Sequence, residues 1–127
     1  LDGFKEINDR HGHETGDRVL QQLSSRLRGI IRETDLLFRW GGEEFVILLP
    51  HSASAEAPVL AERVRAAVAE RPFAGSDAHP AVPVTVSVGV AGTSAWPVDP
   101  DALLARADAA CYRAKEGGRN RVEAEAA

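Results

Sequence analysis

Residues 36–49 read LLFRWGGEEFVILL, and this stretch decides the fold. Two apolar runs, rich in strand-forming residues, meet at a turn that carries two glycines and then two carboxylates. Glycine tolerates a positive φ and lets the backbone approach a ligand closely, so the pattern predicts a β-hairpin. Adjacent side chains on a strand point to opposite faces, so one of Glu43 and Glu44 is expected to face a bound cation such as magnesium. The alternative is an ordinary solvated hairpin with a charged tip.

The composition fits one compact domain. With 127 residues, of which 44% are hydrophobic, the chain is long enough to bury a core and too short for two typical domains. A net charge of −4 argues against a general nucleic-acid binder, which needs clustered Lys and Arg. The single cysteine excludes an internal disulfide, and we expect Cys111 to be a buried thiol in a cytoplasmic domain.

No stretch approaches the roughly 20 apolar residues of a membrane span, and no signal peptide opens the chain. Because the chain begins at Leu1 without an initiator Met, we expect it to be the C-terminal part of a longer regulatory protein. Sensor domains, linkers or a membrane anchor upstream are compatible with that expectation.

Helical periodicity marks three long segments. The first runs from Gly16 to Arg32, and its apolar stripe comprises Val19, Leu20, Leu23, Leu27, Ile30 and Ile31. The second includes Leu60–Val68 and the third Leu103–Ala114. A shorter helix is predicted over Phe4–Asp9, followed by a loop over residues 11–16.

Alternation at period two predicts a half-buried strand over Val82–Val90, and a short closing strand is predicted over Arg121–Glu123. Helices and strands thus interleave, and the hairpin supplies an antiparallel pair. The prediction is an α+β fold, in which helices pack against a mainly antiparallel sheet.

Three separated motifs carry a family resemblance. The hairpin, the segment FKEINDRHGHETGD at residues 4–17 and the segment YRAKEGGRNR at residues 112–121 together resemble the GGDEF domain of bacterial diguanylate cyclases. The resemblance covers essentially the whole chain, 1–127, as a single domain. It implies a ferredoxin-like core akin to nucleotidyl cyclases and polymerase palms. In that core a first, central strand precedes the first helix, so Leu1 and Asp2 would be the last residues of a strand that is otherwise missing here.

The resemblance implies that two GTP molecules are condensed into cyclic di-GMP and two pyrophosphates with Mg²⁺ or Mn²⁺. Glu43 then corresponds to a metal ligand and to the base for the attacking hydroxyl, and Leu1 supplies a second ligand through its backbone carbonyl. A further aspartate ligand would lie one residue before Leu1. We therefore expect this chain to bind the metal more weakly than a chain that carries the further aspartate. Such weak binding is compatible with an inactive fragment.

For guanine recognition, the resemblance implies Asn8 and Asp17. From spacing alone, helix capping is the alternative role for both residues. His13 would contact the ribose or base, or would order its own loop.

For the phosphates, the resemblance implies three cations, Lys5, Lys115 and Arg119, and assigns to Lys5 a part in catalysis. The glycine pair after Lys115 can fold its side chain and that of Arg119 towards one anion, although solvated surface cations are the alternative. Gly41 and Gly42 complete the implied substrate-binding residues.

Arg32 and Asp35 match an R-x-x-D inhibitory site that would bind the product, with a helix-end charge pair as the alternative. The implied partners are GTP, cyclic di-GMP, a second copy of the domain in a homodimer and an upstream regulatory domain, with no nucleic acid. A non-catalytic module that binds GTP or cyclic di-GMP is the second hypothesis.

Overall fold

The computed structural model describes residues 1–50, 52 and 55–125. Within those residues, helices and strands alternate in an α+β arrangement, as predicted. The elements in chain order are α1 (Phe4–His11), α2 (His13–Ile30), β1 (Leu36–Gly41), β2 (Glu44–Leu48), α3 (Glu56–Glu70), β3 (Phe73–Ala74), β4 (Ala81–Val82), β5 (Ser87–Val90), α4 (Pro100–Glu116) and β6 (Arg121–Ala124). None of the described helices combines the length and apolar character that crossing a membrane requires.

The corner between α1 and α2 is tighter than the sequence predicts. The predicted loop over residues 11–16 is wrong, because α2 already begins at His13 and only Gly12 separates the two helices. Gly12 has φ 88°, a left-handed value that reverses the chain in a single residue. Its N–H donates to the carbonyl of Asn8 over 2.8 Å, which ends α1.

The strands form three separate pairs in the described part of the chain. β1 pairs with β2 and β3 with β4, both antiparallel, whereas β5 and β6 are parallel. The single strand predicted over Val82–Val90 is wrong, because it is divided into β4 and β5. Pro83 has no N–H to donate, and the carbonyl of Thr85 accepts from the N–H of Asp2 at 3.0 Å instead of from a paired strand.

The core lies between α2, α3 and the strands. The predicted stripe of α2 supplies Val19, Leu20, Leu23 and Leu27, all buried, and Phe73 is fully buried beside them. Arg26 of α2 joins this core to the end of α3: its guanidinium lies 3.7 Å above the ring of Phe73. The same group donates to four carbonyls, those of Ala67, Val68, Arg71 and Pro72.

Helix α4 packs closely on β5 at Gly89. A Cβ on Gly89 would lie 2.1 Å from the carbonyl oxygen of Ala107 and 2.2 Å from the nitrogen of Cys111. Both are backbone atoms of α4, so no side-chain rotation can relieve the overlap. This glycine therefore sets the distance between the helix and the strand.

We predict that Gly89→Ala lowers the free energy of unfolding by about 1–3 kcal/mol, because α4 must move away from β5. Gly29→Ala is the matched control, since a Cβ on Gly29 meets nothing within 4 Å and Gly29 lies in α2. The control should be stabilised by about 0.5–1 kcal/mol. Urea unfolding followed by circular dichroism measures both, and equal effects of the two variants would contradict the close packing.

Candidate functional site

The hairpin tip is a two-residue turn. Gly41 pairs with Glu44, which leaves Gly42 and Glu43 between the strands. Gly42 has φ 48°, and its carbonyl accepts two bonds from the guanidinium of Arg39, at 2.7 and 3.0 Å. The expectation that Glu43 and Glu44 both lie on a strand is wrong, because Glu43 belongs to the turn and only Glu44 begins β2. Glu43 is half-buried and Glu44 is exposed.

Leu1 and Glu43, the two residues predicted to hold the metal, are neighbours. The amino nitrogen of Leu1 donates to the carbonyl of Glu43 at 3.4 Å.

Asp2 is the most extensively bonded carboxylate in this region. It accepts from the hydroxyls of Thr85 at 2.8 Å and Ser87 at 2.6 Å, and from the N–H of Asn120 at 3.1 Å. Burial works to raise the pKa of Asp2, but these hydrogen bonds outweigh it and hold the pKa below its usual value. Sequence reasoning missed all three donors. The T-x-S spacing, which puts two hydroxyls on one face of a strand, was the available signal.

The basic turn follows α4. Lys115 lies exposed in the last turn of that helix, and Gly118 has φ 120°. Arg119 and Asn120 also have positive φ, 65° and 46°. Arg119 itself is exposed. The structure thus brings the Lys115–Asn120 turn to Asp2 through the Asn120 N–H.

Asn8 lies against the start of α2. A Cβ on Gly16 would come within 1.9 Å of its Oδ1, and that oxygen is buried without a hydrogen-bond partner among the described residues. Asp17 follows Gly16 and is exposed. The capping alternative for this pair is wrong, because Gly3 and Gly12 are the N-caps of the two helices. Lys5 is exposed on α1.

His13 lines a cavity of about 420 Å³ together with His11, Gly12, Glu14, Thr15, Arg18, Ser76 and Asp77. Neither Glu43 nor Asn8 lines this cavity. Within the described residues, no hydrogen bond joins Glu43 to Asn8 or Asp17.

Arg32 and Asp35 form the charge pair at the end of α2. The Asp35 side chain is fully buried and accepts from the Arg32 N–H at 2.9 Å and from its Nε at 3.4 Å. The guanidinium, 55% exposed, also contacts Ser52 and Glu56. The second oxygen of Asp35 is buried without a partner in the described part of the chain. The pair is therefore preorganised, while the arginine keeps donors open to solvent.

The donors beside the turn fit magnesium. Glu43 offers a carboxylate and Leu1 a carbonyl, both hard oxygens, and Mg²⁺ is commonly held by one or two carboxylates together with substrate phosphates and water. No group of three or more His, Cys, Asp or Glu side chains that could hold a metal ion is found in residues 1–50, 52 and 55–125. The donor set therefore suits a metal that arrives with a phosphate ligand.

Comparison with known proteins defines the class. The family profile described as "Diguanylate cyclase, GGDEF domain" matches residues 1–121. The chain is 45% identical over 127 residues to the response regulator PleD of Caulobacter vibrioides. The matched region covers 100% of this chain and 28% of that protein. It is 47% identical over 124 residues to the diguanylate cyclase DgcM of Escherichia coli, which covers 95% of this chain and 28% of that protein.

Among solved structures, the GGDEF domain of DgcB from Caulobacter crescentus, in complex with c-di-GMP, matches with a TM-score of 0.88 at 34% identity, over 97% of this chain and 72% of that one. The chain therefore belongs to the GGDEF domain family, which confirms the resemblance and the α+β fold class. It spans 28% of the length of PleD and of DgcM.

Cys111 lies on α4. Its thiol donates to the carbonyl of Ser87 at 3.5 Å and is partly buried. Burial raises the pKa of the Cys111 thiol, and the charges of Lys115 and the Leu1 amino group only partly oppose that.

We predict that iodoacetamide alkylates Cys111 at least about tenfold more slowly than a free cysteine near neutral pH, because the thiolate is the reactive form. Cys111 is the only cysteine, so intact mass spectrometry reads the rate directly. The urea-unfolded chain is the control and should react at the free-thiol rate. A folded protein that reacts equally fast would contradict the burial of this thiol.

Proposed function

We propose that this chain is the catalytic domain of a diguanylate cyclase, which condenses two GTP molecules into cyclic di-GMP and two pyrophosphates with Mg²⁺ or Mn²⁺. The observation that carries the proposal is the position of Glu43, in a tight glycine turn next to Leu1. Membership of the GGDEF family supports it.

The chemistry requires the 3′-hydroxyl of one GTP to attack the α-phosphate of another in line, so catalysis consists chiefly of positioning and charge neutralisation. The carboxylate of Glu43 and the carbonyl of Leu1 would hold the metal, which supplies charge neutralisation at the phosphates when bound. Glu43 also accepts the proton of the attacking hydroxyl. Gly41 and Gly42 let the backbone come close to the phosphates.

The remaining predicted residues bind the substrate. Lys5, Lys115 and Arg119 neutralise phosphate charge. Their exposure supports this role, since none of the three is described in an ion pair within the chain.

The guanine end is recognised by Asn8 and Asp17: Asp17 accepts from the ring N–H groups, and the Asn8 amide both donates and accepts. The exposure of Asp17 supports such a role. His13 would reach the nucleotide only if the ligand extends towards its cavity.

One domain binds one GTP, so two domains must meet across a two-fold axis to join two GTP molecules into the cyclic product. A homodimer, and an upstream regulatory domain that controls its formation, are parts of the proposal. A second candidate is a module that binds cyclic di-GMP without catalysis, and the solvent-facing donors of Arg32 beside buried Asp35 favour it. In the enzyme, that same pair would be the inhibitory product site.

We predict that Glu43→Gln lowers GTP turnover by more than about 100-fold. Mutation of a residue that only supports a metal ligand typically costs about 10–100-fold in metal affinity or activity, and loss of the ligand itself should cost more. Turnover of the full-length protein in Mg²⁺ is measured by chromatography of cyclic di-GMP. The control is Glu70→Gln, an exposed carboxylate at the end of α3. Normal turnover in Glu43→Gln would contradict the assignment.

We predict that Arg32→Ala weakens cyclic di-GMP binding by about 10–100-fold, since charge-assisted bonds to a phosphate or base are lost. Isothermal titration calorimetry of the full-length protein measures the affinity. Arg28→Ala is the matched control, because Arg28 is an exposed arginine in the last turn of α2, shortly before Arg32. Unchanged affinity in Arg32→Ala would remove the product site from the proposal.

A further inference from the structure

Asp2 is fixed through both its backbone and its side chain. Its N–H donates to the carbonyl of Thr85 at 3.0 Å, while its carboxylate accepts from Thr85, Ser87 and Asn120 at 2.8, 2.6 and 3.1 Å. We call these four hydrogen bonds the Asp2 anchor. They join residues that lie 83 to 118 positions apart in the chain.

The Asp2 anchor touches both halves of the candidate site. On one side, Asp2 follows Leu1, whose nitrogen lies 3.4 Å from the carbonyl of Glu43. On the other side, Asn120 follows Arg119 in the basic turn. One carboxylate therefore connects the Leu1–Glu43 contact to the turn that presents Arg119, which the pairing of Ser87 with Arg121 also holds against β5.

The basic turn depends on outside support. Arg119 and Asn120 both have left-handed backbones, with φ 65° and 46°, a conformation that non-glycine residues keep only where their surroundings hold them. The N–H of Asn120 is held by Asp2, and its side-chain oxygen accepts from Arg65 of α3 at 2.9 Å. Loss of the carboxylate contact would release one of these two holds.

The two hydroxyls lie on the face opposite the hydrophobic cluster, where Ser87 is buried and Thr85 is half-buried. Thr85 and Ser87 share one face of the segment that leads into β5, whereas Val84 and Val86, on the opposite face, belong to the buried hydrophobic cluster. Removing a hydroxyl therefore alters the Asp2 anchor without emptying the core. This separation makes positioning and global stability independently testable.

We propose that Thr85 and Ser87 are positioning residues for the reaction: their hydroxyls hold Asp2, which keeps Leu1 beside Glu43 and fixes the place of both relative to the turn that carries Arg119. The inference rests on the proposed function. It assigns a role to two hydroxyls that contact neither metal nor substrate themselves.

The test uses the full-length protein and the double variant Thr85→Val/Ser87→Ala, which removes both hydroxyls and nearly preserves volume. We expect the Mg²⁺ concentration for half-maximal binding of a non-reactive GTP analogue, and for half-maximal turnover, to rise by about 10–100-fold. Thr85→Ser keeps a hydroxyl and should stay within about twofold of the natural protein.

Val84→Ala is the control for stability. It truncates a core side chain next to Thr85, so it should lower the melting temperature while leaving the Mg²⁺ requirement unchanged. If the double variant and Val84→Ala shift the Mg²⁺ requirement equally at equal loss of stability, the Asp2 anchor is purely structural and the inference is wrong.

The two readouts separate this inference from the proposed function. A natural protein that binds the analogue with Mg²⁺ but makes no cyclic di-GMP refutes the proposed function, and its Mg²⁺ titration still tests the Asp2 anchor. Turnover in the natural protein with an unchanged Mg²⁺ requirement in the double variant refutes the inference alone. Absence of both binding and turnover in the natural protein refutes both.

Discussion

The carboxylate of Asp2 joins the N-terminal residues to two other parts of the chain, the segment that enters β5 and the turn after α4. Those two parts are also connected by the parallel pairing of β5 with β6, in which Ser87 pairs with Arg121, and the contact of Leu1 with Glu43 leads to the hairpin. Burial would favour a neutral acid at this position, yet three donors keep it ionised. The relative position of Leu1 and the basic turn depends on that balance between desolvation and hydrogen bonding.

The backbone contact at Gly89 adds a second constraint, of steric origin. The backbone of α4 lies directly against Gly89 of β5. Lys115 and Cys111 belong to this helix, and the helix cannot move outward without losing that packing. Thr85 and Ser87 reach Asp2 from the neighbouring segment. The hydrogen bonds of Asp2 and the backbone contact at Gly89 thus both act on the unit formed by β5, α4 and β6.

The parts of the fold that depend on local pattern could be predicted from the sequence. The stripe of α2 and the presence of the hairpin follow from periodicity and from glycine placement, and both occur as expected. The α1–α2 corner was mispredicted because one left-handed glycine replaces a loop, and the strand over Val82–Val90 was mispredicted because its pairing depends on partners far along the chain.

For the site, Glu43 could be named from its motif, and its nearness to Leu1 is a tertiary fact that the motif does not contain. The T-x-S spacing indicates that Thr85 and Ser87 share a face, but it does not identify their partner. Asp2 lies at least 83 residues away from Thr85, Ser87 and Asn120 in the chain. Long-range polar contacts of this kind are what single-sequence reasoning misses.

The guanidinium of Arg26 has one more consequence. It joins α2 to the end of α3 and to Phe73 through carbonyl oxygens and an aromatic face, with no carboxylate involved. Carbonyls do not titrate, and short dipolar contacts are little screened by dissolved ions. The contact between α2 and α3 should accordingly tolerate low pH and high salt concentration far better than the exposed ion pairs elsewhere on the surface.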